Sequence, residues 1–299
     1  MAMDIQRIRY FLEVARQRNF SRAAQVCHVS QPSLSQQIKK LEEEVDGPLF
    51  LRNRTGITLS PLGESFLPYA QAILASVASA EEFLAETRSQ ARRTIRLGAI
   101  PTIAPYLVPS VFTAIRSQEP EINFELLEDR TEAIVEALME GTIDFALLSP
   151  PTEVDAMCEH LTLLRDEFML TLPATHRLAK SRRISPKELS AENIILLEDS
   201  HCLSRQTADY CSTLGVTPNV SIRGSQIETL LRLVEGGFGL TFTPKLAVPA
   251  GSGLAFRSIT ESPCHREIRL MWLRQPILSG TMRRTLRILE EALVKASAR

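Results

Sequence analysis

Long apolar runs are missing from this 299-residue chain. No stretch approaches the about 18 consecutive apolar residues that a membrane-crossing helix needs, which excludes such a helix and gives no reason to expect a membrane partner. Asp4, Arg7, Arg9 and Glu13 interrupt the opening segment where a secretory leader would keep an apolar stretch, so a cytoplasmic location is expected. Cysteine is scarce and odd in number: Cys27, Cys158, Cys202, Cys211 and Cys264. Five thiols are not a disulfide framework, so the default is buried thiols, and any that matters does so through reactivity. Net charge is nearly absent as well, with 34 basic against 35 acidic residues. Without a global basic field, nucleic-acid binding would require a local patch.

What remains is an ordinary globular composition, 44% hydrophobic and 23% charged, which excludes collagen-like, mucin-like and bulk-disordered chains. At about 100–200 residues per domain, two or three domains are expected. The first 60 residues carry nine basic and six acidic side chains, a local balance of +3, with most of the acids gathered at 42–46. Ile8, Phe11, Leu12 and Ala15 follow helical spacing. A short helix follows with Ser21 as its expected cap, then a turn at His28-Val29 and a second helix capped by Ser30, with Pro32 in its first turn. Leu34, Ile38 and Leu41 face inward, leaving Gln31, Ser33, Gln36, Gln37 and Lys40 outside. Two short helices joined by a tight turn make a helix-turn-helix, and the Leu51–Leu59 segment around Gly56 reads as a hairpin wing.

A new helix opens at Ser60-Pro61 with Glu64 in its first turn. Phe66, Ile73 and Ala80, offset by Ala70, Val77 and Leu84, repeat every seven residues; this is a coiled-coil seam, read in preference to packing within its own domain. From Thr94 on, strands alternate with helices, implying a mostly parallel α/β region. Strands are expected at Thr94–Ile100, Ile122–Glu128, Asp144–Leu148, Glu167–Leu172, Ile194–Leu197, Val220–Arg223, Gly239–Thr243 and Glu267–Leu273. The apparent restart near Glu167 suggests two lobes and a cleft. The expected organisation is therefore α/β, with a winged helix-turn-helix over 1–60 and a linker and dimerisation helix over 61–93. A two-lobed domain follows over 94–299, with lobe I at about 94–165 and 267–299 and lobe II at about 166–266.

Several stretches carry a closer resemblance: Tyr10-Phe11-Leu12-Glu13-Val14-Ala15, Phe20-Ser21-Arg22-Ala23-Ala24, Val29-Ser30-Gln31-Pro32-Ser33-Leu34-Ser35-Gln36-Gln37-Ile38, Leu49-Phe50 and Thr58-Leu59-Ser60-Pro61-Leu62-Gly63. In this order the chain resembles the LysR-type transcriptional regulators over essentially its whole length. The family implies a winged helix-turn-helix, a linker helix and a periplasmic-binding-protein-like effector domain. It also implies homodimers and homotetramers on double-stranded promoter DNA and contact with RNA polymerase, without enzymatic turnover, cofactor or metal. Gly98-Ala99-Ile100-Pro101-Thr102, Leu196-Leu197-Glu198-Asp199-Ser200-His201-Cys202-Leu203 with Cys211 nine residues on, and Pro244-Lys245-Leu246-Ala247 are similar to the peroxide-sensing members of that family. Arg205 departs from this likeness, since an acidic residue is expected there.

Recognition helices read base edges from their N-terminal turns. Gln31, Ser33, Gln36 and Gln37 are therefore the base-contact candidates, and Lys40, Arg52 and Arg54 the phosphate or minor-groove candidates. Peroxide reacts with thiolate, and Cys202 follows His201 at the expected start of a helix, where an anion is stabilised. The resemblance implies that Cys202 is the oxidised thiol and Cys211 its disulfide partner, with Thr102, Thr131 and His201 positioning hydrogen peroxide. On one continuous helix, nine residues rotate about 900° and rise about 13.5 Å. A disulfide needs Cα atoms within about 7 Å, so pairing would require that segment to unwind. Three other readings stay open: a small metabolite in the interlobe cleft near Thr102, Thr131 and Gly237-Phe238-Gly239; a thiol enzyme using His201 and Cys202; and a metal sensor drawing on His201, Cys202, Cys211, Cys264 and His265.

Overall fold

The computed structural model describes residues 3–53, 56–88, 93–150, 158–181, 183–190, 192–198, 202–213, 215, 219–249, 251, 253–259, 264–274 and 278–297. The chain divides into two compact units, one built on Met1–Ala91 with two short later segments, the other on most of Arg92–Arg299.

In the first unit α1 (Ile5–Gln17), α2 (Phe20–Val26) and α3 (Gln31–Glu44) precede a hairpin of β1 (Phe50–Asn53) and β2 (Gly56–Leu59), then the long α4 (Pro61–Arg88). Ile8, Phe11, Val14, Ala23, Leu34, Ile38, Leu41 and Leu49 are buried together, with the Phe11 ring 5.3 Å from Phe50 and 5.2 Å from Phe66. Asn19, and not Ser21, caps α2: its Oδ1 accepts from the backbone N–H of Ser21 and of Arg22. Asparagine at that site satisfies two orphan donors at once, whereas Ser21 already lies inside the helix. The first half of the heptad seam of α4 packs within its own unit and not, as expected, in a coiled coil. Ala70 is buried and Phe66, Ile73 and Leu74 pack on the winged-helix core, while Leu84 is 53% exposed.

The second unit opens with β3 (Arg93–Ala99), α5 (Ala104–Gln118), β4 (Ile122–Glu128), α6 (Thr131–Met139) and β5 (Phe145–Leu148). β3 pairs in parallel with β4 and β5. The long β6 (Cys158–Pro173) leads into β7 (Arg183–Ile184), α7 (Pro186–Leu189), β8 (Asn193–Leu197), α8 (Cys202–Thr213), β9 (Asn219–Gly224), α9 (Ile227–Glu235), β10 (Thr241–Pro244) and β11 (Leu254–Ile259). Then β12 (His265–Leu273) returns to pair with β5, and α10 (Gly280–Ser297) closes the chain. The sheet is less parallel than the alternation implied. β10 and β11 both run antiparallel to β6, and β12 runs antiparallel to β5. The reason is β6 itself: it starts at Cys158, far ahead of the expected Glu167, and is a long strand against which later strands turn back. Leu203, Tyr210 and Cys211 of α8 share one buried core with β8, α9 and β10. We call β3–β5 with α5 and α6 the first half of this unit, and the elements around that core the second half.

Candidate functional site

The outward face of α3 is the first candidate. Ser30 caps the helix by accepting from Ser33 N–H, and Pro32 sits in the first turn, where its missing N–H is tolerated. Burial of Leu34, Ile38 and Leu41 fixes the rotation of the helix, leaving Gln31, Ser33, Gln36 and Lys40 exposed and Gln37 half-buried. Two contacts hold α3 in place. The Arg7 guanidinium of α1 pairs with Glu44, and Glu42 accepts from the N–H groups of Leu49 (2.8 Å) and Phe50 (3.3 Å), tying the helix end to the hairpin. The acids at 42–46 thus include structural pins. Arg52 lies on β1 opposite Ile57, and Arg54 lies outside the described residues.

The second candidate is built where α8 meets the strand ends of the first half. Thr102 follows β3, Thr131 begins α6 and Ser149 follows β5, and all three are buried. C-terminal strand ends are where α/β folds place ligands. Thr102 is held by a buried cation that sequence reasoning missed. Arg266 Nη1 donates to Thr102 Oγ1 at 2.7 Å and Nη2 to its carbonyl at 3.0 Å. The same guanidinium pairs with Asp166 through Nε (3.1 Å) and Nη2 (3.0 Å), and the Phe168 ring stacks 5.9 Å from Cζ. Asp166 Oδ1 accepts from Leu246 N–H at 3.0 Å. Both charged side chains are essentially inaccessible, 0% and 1% exposed, so each depends on the other. The loops after β3 and β10 are thereby fastened to β6 and β12. A signal existed: Asp166 and Arg266 occupy the inward register of their strands with Phe168, Leu170 and Ile268, Leu270. Starting those strands at Glu167 and Glu267 left both residues just outside.

Opposite lies α8, continuous from Cys202 to Thr213. Cys202 is its first residue, and His201 lies outside the described residues. Cys211 is a free, buried thiol whose pKa burial pushes up to about 11. Cys264 packs on the same core, its thiol pushed up to about 12 by burial and by neighbouring Cys211. The two halves touch through consecutive residues of α8. Arg205 Nη2 lies 3.5 Å from Glu132 Oε1 on α6, and Gln206 Nε2 donates to Ser149 Oγ at 3.3 Å. Gln206 Oε1 is buried without a hydrogen-bond partner. Cys202 and Cys211 thus share one helix, about 13.5 Å apart along its axis.

Residues 5–64 match the bacterial regulatory helix-turn-helix protein, lysR family, and residues 88–294 match the LysR substrate binding domain. A probable hydrogen peroxide-inducible genes activator of Mycobacterium avium is 35% identical over 81% of this chain and 78% of its own length. A full-length OxyR point variant from Pseudomonas aeruginosa is 26% identical with a TM-score of 0.69, covering 98% of this chain and 95% of that one. A hydrogen peroxide-bound cysteine-to-serine variant of Corynebacterium glutamicum OxyR gives 26% and 0.61, over 100% and 94%. Helix-turn-helix, linker helix and α/β domain all fall within these matches, and the chain belongs to the LysR family of transcriptional regulators.

Proposed function

We propose that this regulator senses hydrogen peroxide through Cys202 and Cys211 and reports it to promoter DNA. The observation that carries the reading is that both cysteines sit on one continuous helix, Cys202 first and Cys211 nine residues on. The Cys202 thiolate, favoured at the α8 N-terminus, attacks one peroxide oxygen; the O–O bond breaks, water leaves and a sulfenic acid remains. Cys211 then attacks that sulfur and expels a second water, so two thiols and one peroxide become one disulfide and two waters. Thr102, Thr131 and His201 position the peroxide, with Thr102 held in place by Arg266. Raised to about 11, the Cys211 thiol is about 100-fold poorer in thiolate than an ordinary one until α8 opens. Resolution therefore waits on remodelling, and remodelling carries the signal.

In this reading Gln31, Ser33, Gln36 and Gln37 meet base edges, and Lys40, Arg52 and Arg54 meet the DNA backbone or minor groove. The chain works as a homodimer or homotetramer, joined in part along the exposed end of α4, and signals to RNA polymerase. Mass spectrometry of the 202–211 segment after stoichiometric peroxide, paired with footprinting of operator DNA, tests the proposal. The disulfide and a changed footprint are expected to appear together. Cys202→Ser is expected to lose the response and keep DNA binding; an unchanged response in that variant ends the proposal. Gln36→Ala is expected to weaken the cognate site by about 1–3 kcal/mol with little effect on unrelated DNA, by binding titration. Titration that shows no loss of two thiols after peroxide favours a metabolite ligand instead.

A further inference from the structure

The helix that must open grips the opposite half of its unit through Arg205 and Gln206. Arg205 lies in the first turn of α8, three residues after Cys202, and reaches across to Glu132 in the first turn of α6. A cation in the first turn of a helix opposes its dipole, so α8 gains nothing locally from this arginine. An acid at position 132, by contrast, suits the start of α6. Each charge gains its attraction only while the two halves are docked.

We propose that the Arg205–Glu132 pair is a latch that holds the reduced, helical form and thereby sets how readily the protein is oxidised. The inference rests on the proposed 202–211 disulfide, because the unwinding of α8 that this bond requires parts the pair. Arg205 is a positioning residue that acts through helix docking. Its exposure of 65%, against 68% for Glu132, fixes the scale. An exposed pair shifts an equilibrium by about two- to fivefold and is weakened by salt. Gln206–Ser149 supplies a neutral second contact that salt does not dissolve.

The test uses the full-length protein in a glutathione buffer, where one disulfide and two glutathione thiols exchange with two protein thiols and glutathione disulfide. The ratio of oxidised to reduced 202–211 peptide is read by alkylation and mass spectrometry. Arg205→Ala and Glu132→Gln are each expected to raise that ratio about two- to fivefold at low salt. The double variant is expected to gain no more than either single, because they remove one shared interaction. The charge-swapped pair, Arg205→Glu with Glu132→Arg, is expected to bring the ratio down from that of either single variant to the wild-type value or below, since an acid at position 205 also suits the start of α8, and a merely structural effect of either residue would not do this. Raising salt is expected to raise the wild-type ratio and leave the single variants flat. Additive single variants, an unrescued swap, or ratios within about 1.5-fold of wild type overturn the latch. A wild-type protein that never forms the 202–211 disulfide overturns the underlying proposal instead, so the two failures are distinguishable.

Discussion

Two walls of the α/β unit, the buried Thr102 network and the docking face of α8, are held by unlike means. On one side Thr102, Asp166 and Arg266 are buried, charge is matched by charge, and four segments of chain meet in one network. On the other, α8 reaches the first half through one exposed ion pair and one 3.3 Å hydrogen bond. In the proposed switch this asymmetry matters: the Arg266 network is a reference surface too costly to break, while the contacts that dock α8 on the first half are worth about 1 kcal/mol each, beside the buried packing of Leu203, Tyr210 and Cys211 in the second half. Neither wall alone makes a switch. Firm docking on both sides would stop remodelling, and weak docking on both would leave no defined reduced state.

The largest expected effect comes from breaking the fixed wall. Arg266→Ala leaves the Asp166 carboxylate buried with one backbone donor, and removing one partner of a buried pair costs about 3–5 kcal/mol. Urea unfolding is expected to show that loss, against at most about 1 kcal/mol for Arg205→Ala. Similar losses for the two variants would erase the distinction between the walls.

The two sides also differed in how far the sequence revealed them. The winged-helix unit was readable because its helices carry clean inward triplets, such as Leu34, Ile38 and Leu41, and a capping serine. The α8 segment was legible as a helix from Leu203 through Tyr210, and once it is a helix, a cysteine spacing of nine residues forbids a disulfide whatever surrounds it. The fixed wall was not. Asp166 and Arg266 are 100 residues apart, each resembles an ordinary strand-end charge, and only folding brings them together. Their inward register was available in principle, but charge near a strand end ordinarily marks where burial stops. The antiparallel return strands were missed for a related reason: strand direction depends on which neighbours pair, and local pattern carries no record of that.

A medium effect follows from the buried thiol on the moving wall. Folding raises the Cys211 pKa from about 9 to about 11, so the folded state keeps a proton that the unfolded chain releases. That stabilisation is fully present below pH 9 and is lost as pH rises from 9 towards 11, at up to about 1.4 kcal/mol per unit. Urea unfolding at pH 8, 9 and 10 is expected to fall more steeply for the wild type than for Cys211→Ala. Equal slopes would mean the thiol is already open to solvent, and that resolution does not wait for α8 to move.

The smallest effect sharpens the comparison most, because it perturbs α8 without touching either of its polar contacts with the first half. Ala208 is an exposed interior position of α8, between the two cysteines and one turn before Cys211. Ala208→Gly loses no buried side chain and lowers helix stability by about 1 kcal/mol through backbone freedom. If the oxidised form has an unwound α8, that cost falls on the reduced form alone, and the oxidised fraction in a fixed thiol buffer rises about fivefold. If α8 survives oxidation, both forms bear it equally and the ratio stays put, while the stability of the reduced protein drops by the same amount in either case. Thermal unfolding and the redox titration together separate a helix that opens from one that only shifts.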